Sequence, residues 1–216
     1  TGHPTTATFH EDRLLLAGAE LSSHQIDGSR TGTYLDFSPS DAAGLVTDSH
    51  AISFVLQSGT IDRVFWLQSD EKGLLVGTAS NEWLVRPSST LEALTPSNRT
   101  AKPSSSYGSQ DTPAIRAGNA TLYVQRAGRK LRELAYVFES DGFRSPEMTV
   151  LSEHITRPQL MEIIYQQHPQ SILWGRRSDG VLLGFTYIRD QNVLAWHRHS
   201  LSGPGNVSGG PAIVES

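Results

Sequence analysis

MEIIYQQHPQSILWGRRSDGVLLGFTYIRDQNVLAWHRH, residues 161–199, decides how the rest of the chain is read. Four apolar segments, 161–167, 172–177, 181–188 and 193–199, alternate with His168-Pro169-Gln170-Ser171, Ser178-Asp179-Gly180 and Asp190-Gln191-Asn192. These separators are turn chemistry: Asp-Gly tolerates the positive φ of a tight hairpin, proline cannot donate to a ladder, and Asn and Asp bond their own backbone two residues on. The segments are rich in Ile, Val, Leu, Phe, Tyr and Trp, have the length of ordinary strands and share no helical period. The stretch therefore predicts a four-stranded antiparallel meander. In 181–188, Val181, Leu183, Phe185 and Tyr187 fall on one face and Leu182 and Ile188 on the other, which predicts a sheet covered on both sides. Gly175 and Gly184, on facing strands, would let neighbouring backbones approach.

Working outward, three apolar residues followed by a small or polar one recur at 14–18, 74–78, 122–126 and 173–177, roughly 50 residues apart. The first unit then has strands at 5–10, 14–19, 25–30 and 51–57, with 31–48 as an excursion rich in Gly, Ser and Asp. The second has strands at 61–68, 74–78 and 82–86. Its fourth falls within 87–113, where Ser, Thr, Asn and Pro dominate; so long a structureless loop is unusual in a compact domain, so an irregular edge strand plus a protruding loop is expected. The third has strands at 114–118, 121–125, 131–138 and 148–154, with turns at Gly128-Arg129 and Asp141-Gly142. Thr156, Pro158, Leu160, Ile163 and Ile164 would suit a helix, but Ile163-Ile164-Tyr165 and the following Pro169 favour a strand.

The units are thus 1–58, 59–113, 114–157 and 158–202, with 203–216 a linker or the start of a next strand. Repeated four-stranded units without intervening helices predict an all-β, β-propeller-like fold of about four blade-like antiparallel units within a single domain, or an incomplete part of a larger propeller. A start at Thr1 and a glycine-rich tail point to a processed chain or a piece of a longer one.

Composition narrows the chemistry. The chain of 216 residues is long enough to bury a core and has no cysteine, which excludes Cys nucleophiles, thiolate metal sites and disulfides. A net charge of −4 argues against a free-standing nucleic-acid binder. No stretch approaches the roughly 20 apolar residues of a membrane span, so no membrane insertion is expected.

Several strings carry a family resemblance: Phe9-His10-Glu11-Asp12-Arg13-Leu14, Leu74-Leu75-Val76-Gly77-Thr78 with Glu82-Trp83, Tyr107-Gly108-Ser109, Val124-Gln125-Arg126-Ala127-Gly128-Arg129-Lys130-Leu131-Arg132-Glu133, and Tyr165-Gln166-Gln167 with Asn192-Val193-Leu194-Ala195-Trp196-His197-Arg198-His199. In this order, over most of the chain, they resemble tail proteins of the nozzle, hub or stabilisation type from short-tailed bacteriophages and prophages. The resemblance implies a propeller-bearing virion structural protein in a homo-oligomeric ring around the DNA exit channel. Its partners would be other tail or portal-adjacent proteins, with nonspecific proximity to DNA. It implies no enzymatic role and no cofactor, and a location in the virion tail after assembly in the bacterial host cytoplasm.

Some residues invite a chemical reading. His197 and His199 point to one face of a strand and could meet one metal, but no third or fourth ligand is identifiable nearby, so a plain strand end is expected. Arg126, Arg129, Lys130 and Arg132 could face DNA or an acidic neighbour; a solvated hairpin tip partly compensated by Glu133 is the expectation. Glu11-Asp12, Asp70-Glu71, Glu139 with Asp141, and Asp179 sit at predicted turns, which attract Asp for backbone reasons. Two of them converging with Trp or Tyr in a pocket would make the alternative, a carbohydrate-active propeller acting as glycoside hydrolase or lectin. Gly-x-Ser-x-Gly and phosphate-cradling motifs are absent. Sequons at Asn98, Asn119 and Asn206 fall in predicted loops, and Trp66, Trp83, Trp174 and Trp196 fall in strands, where packing is expected. No catalytic, cofactor-binding or metal-ligating residue is assigned.

Overall fold

A computed structural model describes residues 2–59, 62–89, 92–201 and 214. Ile61, the first residue of one expected strand, the expected linker or strand start over most of 203–216, and the Asn206 sequon lie outside the described residues. Within them the protein is all-β, with four four-stranded antiparallel sheets in which chain neighbours pair. Sheet one holds β1 (Thr6–His10), β2 (Arg13–Ala19), β3 (Ser22–Gly28) and β4 (Ile52–Val55), and sheet two β5 (Val64–Asp70), β6 (Gly73–Thr78), β7 (Glu82–Arg86) and β8 (Thr100–Ser105). Sheet three holds β9 (Ile115–Ala117), β10 (Ala120–Val124), β11 (Leu131–Val137) and β12 (Gly142–Arg144). Sheet four, β13 (Leu160–Gln166), β14 (Ile172–Arg177), β15 (Leu182–Ile188) and β16 (Val193–His199), is the meander expected from 161–199.

The hairpins form where the sequence can turn. Glu11 and Asp12, at φ +45° and +58°, close β1 onto β2, and Gly180 at φ +80° and Asn192 at φ +53° close the last two hairpins. Edge strand β8 answers the expectation for 87–113. Of the 156–164 segment, the part from Leu160 onward is strand, in β13, and Thr156 closes a single helical turn, α1 (Glu153–Thr156), ahead of it.

Two expectations are corrected. Residues 148–154 do not form the fourth strand of the third unit. A 3-10 turn at Phe138–Ser140 and Asp141 at φ +42° bring the chain straight back, so β12 occupies that edge. Beyond it the chain meets β11 again at the isolated Arg132–Glu147 bridge; Pro146 has no N–H to extend a ladder, and Val150 and Leu151 are left exposed. Gly184, in turn, makes room for a side chain rather than a backbone: a methyl there would overlap the imidazole of His197, its cross-strand partner.

The chain divides into two units, Thr1–Asp111 with Phe138–Phe143, and Thr112–Val137 with Arg144–Ser216. In the first, Leu15, Ile26 and Ile52 of sheet one pack with Val64, Leu74, Val76, Trp83 and Val85 of sheet two. Central strand β6 is buried along its whole length, which explains its unbroken Leu-Leu-Val run. In the second unit Leu122, Val124 and Leu131 pack with Leu160, Leu173, Leu183 and Phe185. On the other face of sheet four Leu182 and Ile188 are half-buried and Ile164 is exposed, so the expected cover on that side is partial.

Candidate functional site

Among the described residues, the longest departure from regular structure is the excursion at residues 31–50, between β3 and β4. Local turn chemistry orders it: Asp41 Oδ1 accepts the N–H groups of Ala43 and Leu45 at 2.9 and 2.8 Å, and Asp36 Oδ1 accepts that of Ser38. Its ends are clamped by Arg13, whose buried guanidinium donates to the carbonyls of Ser29 and His50, both at 2.7 Å, and of Asp48. Burial lowers the pKa of Arg13 from its usual value. Tyr34 docks back on the β1–β2 turn, its hydroxyl donating to Asp12 at 2.7 Å and its ring edge-on to Phe9. With both ends held, the excursion leaves Leu35 92%, Leu45 61% and Val46 54% exposed.

Beneath it lies a cleft of about 620 Å³ whose walls include Leu16, Phe37, Val46 and Pro96 and whose charged groups are Asp27 and Arg99. Asp27 Oδ1 already accepts from Gln25 Nε2 at 2.8 Å and Ser53 Oγ at 2.7 Å, and the Arg99 guanidinium lies over the Phe54 ring. An apolar cleft with one carboxylate is suited to binding. Paired-carboxylate hydrolysis needs a second acid, and the lining has none.

Several buried polar groups escaped the sequence reading. His10 is 7% exposed; its Nδ1 lies 2.8 Å from Ser69 Oγ and its Nε2 3.8 Å from Glu11. Burial lowers its pKa, against the pull of Glu11 and Asp70. The trio has the composition of a nucleophile relay, but none of it lines the cleft, and Glu11 spends its other oxygen on the Leu94 N–H at 2.6 Å. It is a buried tie between β1 and β5. Glu82 accepts from Ser105 and Ser109, and Asp62 from Thr78 and Asn81. In the second unit the fully buried Glu133 accepts the Tyr187 hydroxyl at 2.9 Å and lies 2.9 Å from an Arg189 guanidinium nitrogen. Burial and the Glu133 charge push the Tyr187 hydroxyl far above its usual pKa. The signal that could have found these groups was a charged residue inside an apolar strand, as with Glu133 after Leu131-Arg132.

The structure distributes the predicted candidates as follows. Glu147, and not Glu133, compensates the basic run: it pairs with Lys130 at 2.8 Å and lies 3.9 Å from Arg132. Burial would raise the Glu147 pKa, but hydrogen bonds from Lys130 and Thr149 and the nearby cations hold it below the carboxylate range. Arg132 is buried, its guanidinium donating to Gln125 and the Ser145 carbonyl, which leaves Arg126 and Arg129 as the exposed cations. The turn carboxylates do not line the cleft; Asp179 forms an ion pair with Arg177, whose hydrogen bond is the main cause of its lowered pKa.

Trp66 and Trp83 are buried, and Trp196 stacks on Phe185 at 4.7 Å and donates to the Met148 carbonyl, so packing holds for these three. Trp174 is half-buried, on the less covered face of sheet four, with its Nε1 donating to Gln166. Asn98 sits in a tight turn with its N–H on Thr95 Oγ1, and Asn119 is exposed between β9 and β10.

His197 and His199 do come together, Nδ1 to Nε2 at 2.7 Å. Among the described residues no cluster of three or more His, Cys, Asp or Glu could hold a metal, and no helix is long and apolar enough to cross a membrane. No protein-family model and no curated protein matches the chain.

Proposed function

We propose that the four sheets are blades of a β-propeller and that the protein is a non-enzymatic structural component of a bacteriophage or prophage tail. In this reading it makes protein–protein contacts with neighbouring subunits of an oligomeric ring. The observation that carries the reading is the excursion at 31–50, which exposes Leu35, Leu45 and Val46 on a base clamped by Arg13. Large apolar side chains exposed on one ordered loop suit an interaction surface. Rigid clamping lowers the ordering cost of docking. The family resemblance of the sequence supplies the tail context. The carbohydrate-active alternative requires two acids with a Trp or Tyr in one pocket, and the cleft lining offers Asp27 alone.

The test is mass spectrometry of gradient-purified tailed particles from the source bacterium, with and without Leu35→Asp plus Val46→Asp in the gene. The protein is expected in the particles at ring stoichiometry, and the double substitution is expected to deplete it while the purified variant stays folded. Its absence from particles overturns the tail assignment, and glycan hydrolysis lost on Asp27→Asn overturns the non-enzymatic one.

A further inference from the structure

We propose that His197 Nδ1 and His199 Nε2 form a two-point chelate, open to solvent, for a divalent cation that favours tetragonal nitrogen ligation, Cu²⁺ foremost. Both residues lie on outer strand β16, and the strand period of two puts them on the same face of sheet four. Period alone brings two side chains to one side; here the ring nitrogens also converge, at 2.7 Å.

The His197 ring has a prepared seat. It lies over Gly184, where any Cβ would overlap it, so glycine at that position admits the imidazole. Thr186 Oγ1, on the same face of β15, is 3.3 Å from His197 Nε2. In the tautomer in which His197 Nε2 donates to Thr186, Nδ1 presents its lone pair toward His199, the outer-shell arrangement that fixes the tautomer of metal-ligating histidines. His199 is positioned from its other side by Trp174, ring centroids 4.9 Å apart. Without metal, one N–H occupies the short contact between the rings; on cation binding His199 takes its Nδ1–H tautomer, the proton passing from Nε2 to Nδ1 through solvent, and Nε2 is freed as a ligand.

Bite distance selects the cation. Two metal–nitrogen bonds of about 2.0–2.1 Å place the nitrogens about 2.9 Å apart at a right angle and about 3.4 Å apart at the tetrahedral angle. The observed 2.7 Å is nearer the first. Right-angled nitrogen pairs suit Cu²⁺ and Ni²⁺, and Cu²⁺ stands highest in the general affinity order. Water fills the remaining positions, since among the described residues no third His, Cys, Asp or Glu joins the pair.

The experiment is titration of the folded protein with Cu²⁺ at neutral pH, followed by calorimetry and electron paramagnetic resonance. A His3→Ala background is used so that an imidazole near the first residue does not compete. One equivalent with a two-nitrogen tetragonal spectrum is expected. His197→Ala or His199→Ala abolishes it, Thr186→Val weakens it by at least about tenfold, and Arg198→Ala, between the two on the opposite face, leaves it unchanged. Thermal melts without metal confirm that each variant is folded. Unchanged binding in the His197→Ala/His199→Ala double variant, or no one-equivalent site in the parent, overturns the proposal.

Discussion

Sheets two and four use one backbone device for two ends. In sheet two Gly77 faces Trp66 across the β5–β6 ladder, and a methyl at 77 would overlap the indole; in sheet four Gly184 faces His197 in the same way. Trp66 is 1% exposed and belongs to the interior, whereas His197 is half-buried on an outer strand. A glycine that seats a buried ring contributes packing, because the ring has nowhere else to go. A glycine that seats a surface ring contributes orientation, because the ring could otherwise swing into water.

The comparison breaks or holds on stability measurements. Gly77→Ala is expected to have the largest effect, about 3 kcal/mol of destabilisation from overpacking against an immobile indole, read as a lowered melting temperature with Trp66 fluorescence as probe. Tyr187→Phe comes next, at roughly 2 kcal/mol, because it withdraws a hydrogen bond from the fully buried Glu133 carboxylate; urea denaturation of the variant checks it. Gly184→Ala should cost only about 1 kcal/mol, since the His197 ring can rotate outward. Equal costs for the two glycine substitutions, in paired melts, would end the distinction between packing and orientation.

Protonation sharpens the same contrast. His10 has a pKa lowered from 6.5 by burial, so the native state favours its neutral form. Its stabilising contribution is present above about pH 6.5 and is lost as the pH falls from there through the folded-state pKa, because the unfolded chain takes up the proton first. Denaturation curves between neutral and mildly acidic pH should show this loss in the parent and a flatter profile in His10→Phe. His197 is lowered too, by burial and then by His199, but it is half-buried. The acid-induced loss that His197→Phe removes is therefore expected to be smaller than the one His10→Phe removes, and a larger one in the same denaturation series would place the acid-sensitive imidazole in the second unit.

How much of this was legible depends on the range of the forces involved. The meander at 161–199 could be read because turn residues and strand composition act within a few positions. The edge strand β8 was legible as a place and not as a sequence, since Thr100–Ser105 contains a proline and little apolar surface. Strand β12 was not legible: three residues, Gly-Phe-Arg, carry no period, and they are strand because a turn returns them to β11. The excursion could be bounded by composition. Its clamp could not, because Arg13 reads as a polar residue at the head of an apolar run, and its acceptors lie as far as 37 positions away.

The same division runs through the candidate chemistry. The sequence by itself determined that the protein is built of short strands joined by turns, that it has no thiol chemistry, and that His197 and His199 share a face, since each follows from residue type or the two-residue strand period. Only the tertiary structure decided that Glu147 rather than the adjacent Glu133 meets the basic run, that Glu133 meets Tyr187 54 positions away, and that Gly184 holds an imidazole. Partner choice is set by which side chains the packed sheets bring within hydrogen-bonding distance. That depends on contacts distant along the chain, which no local pattern encodes.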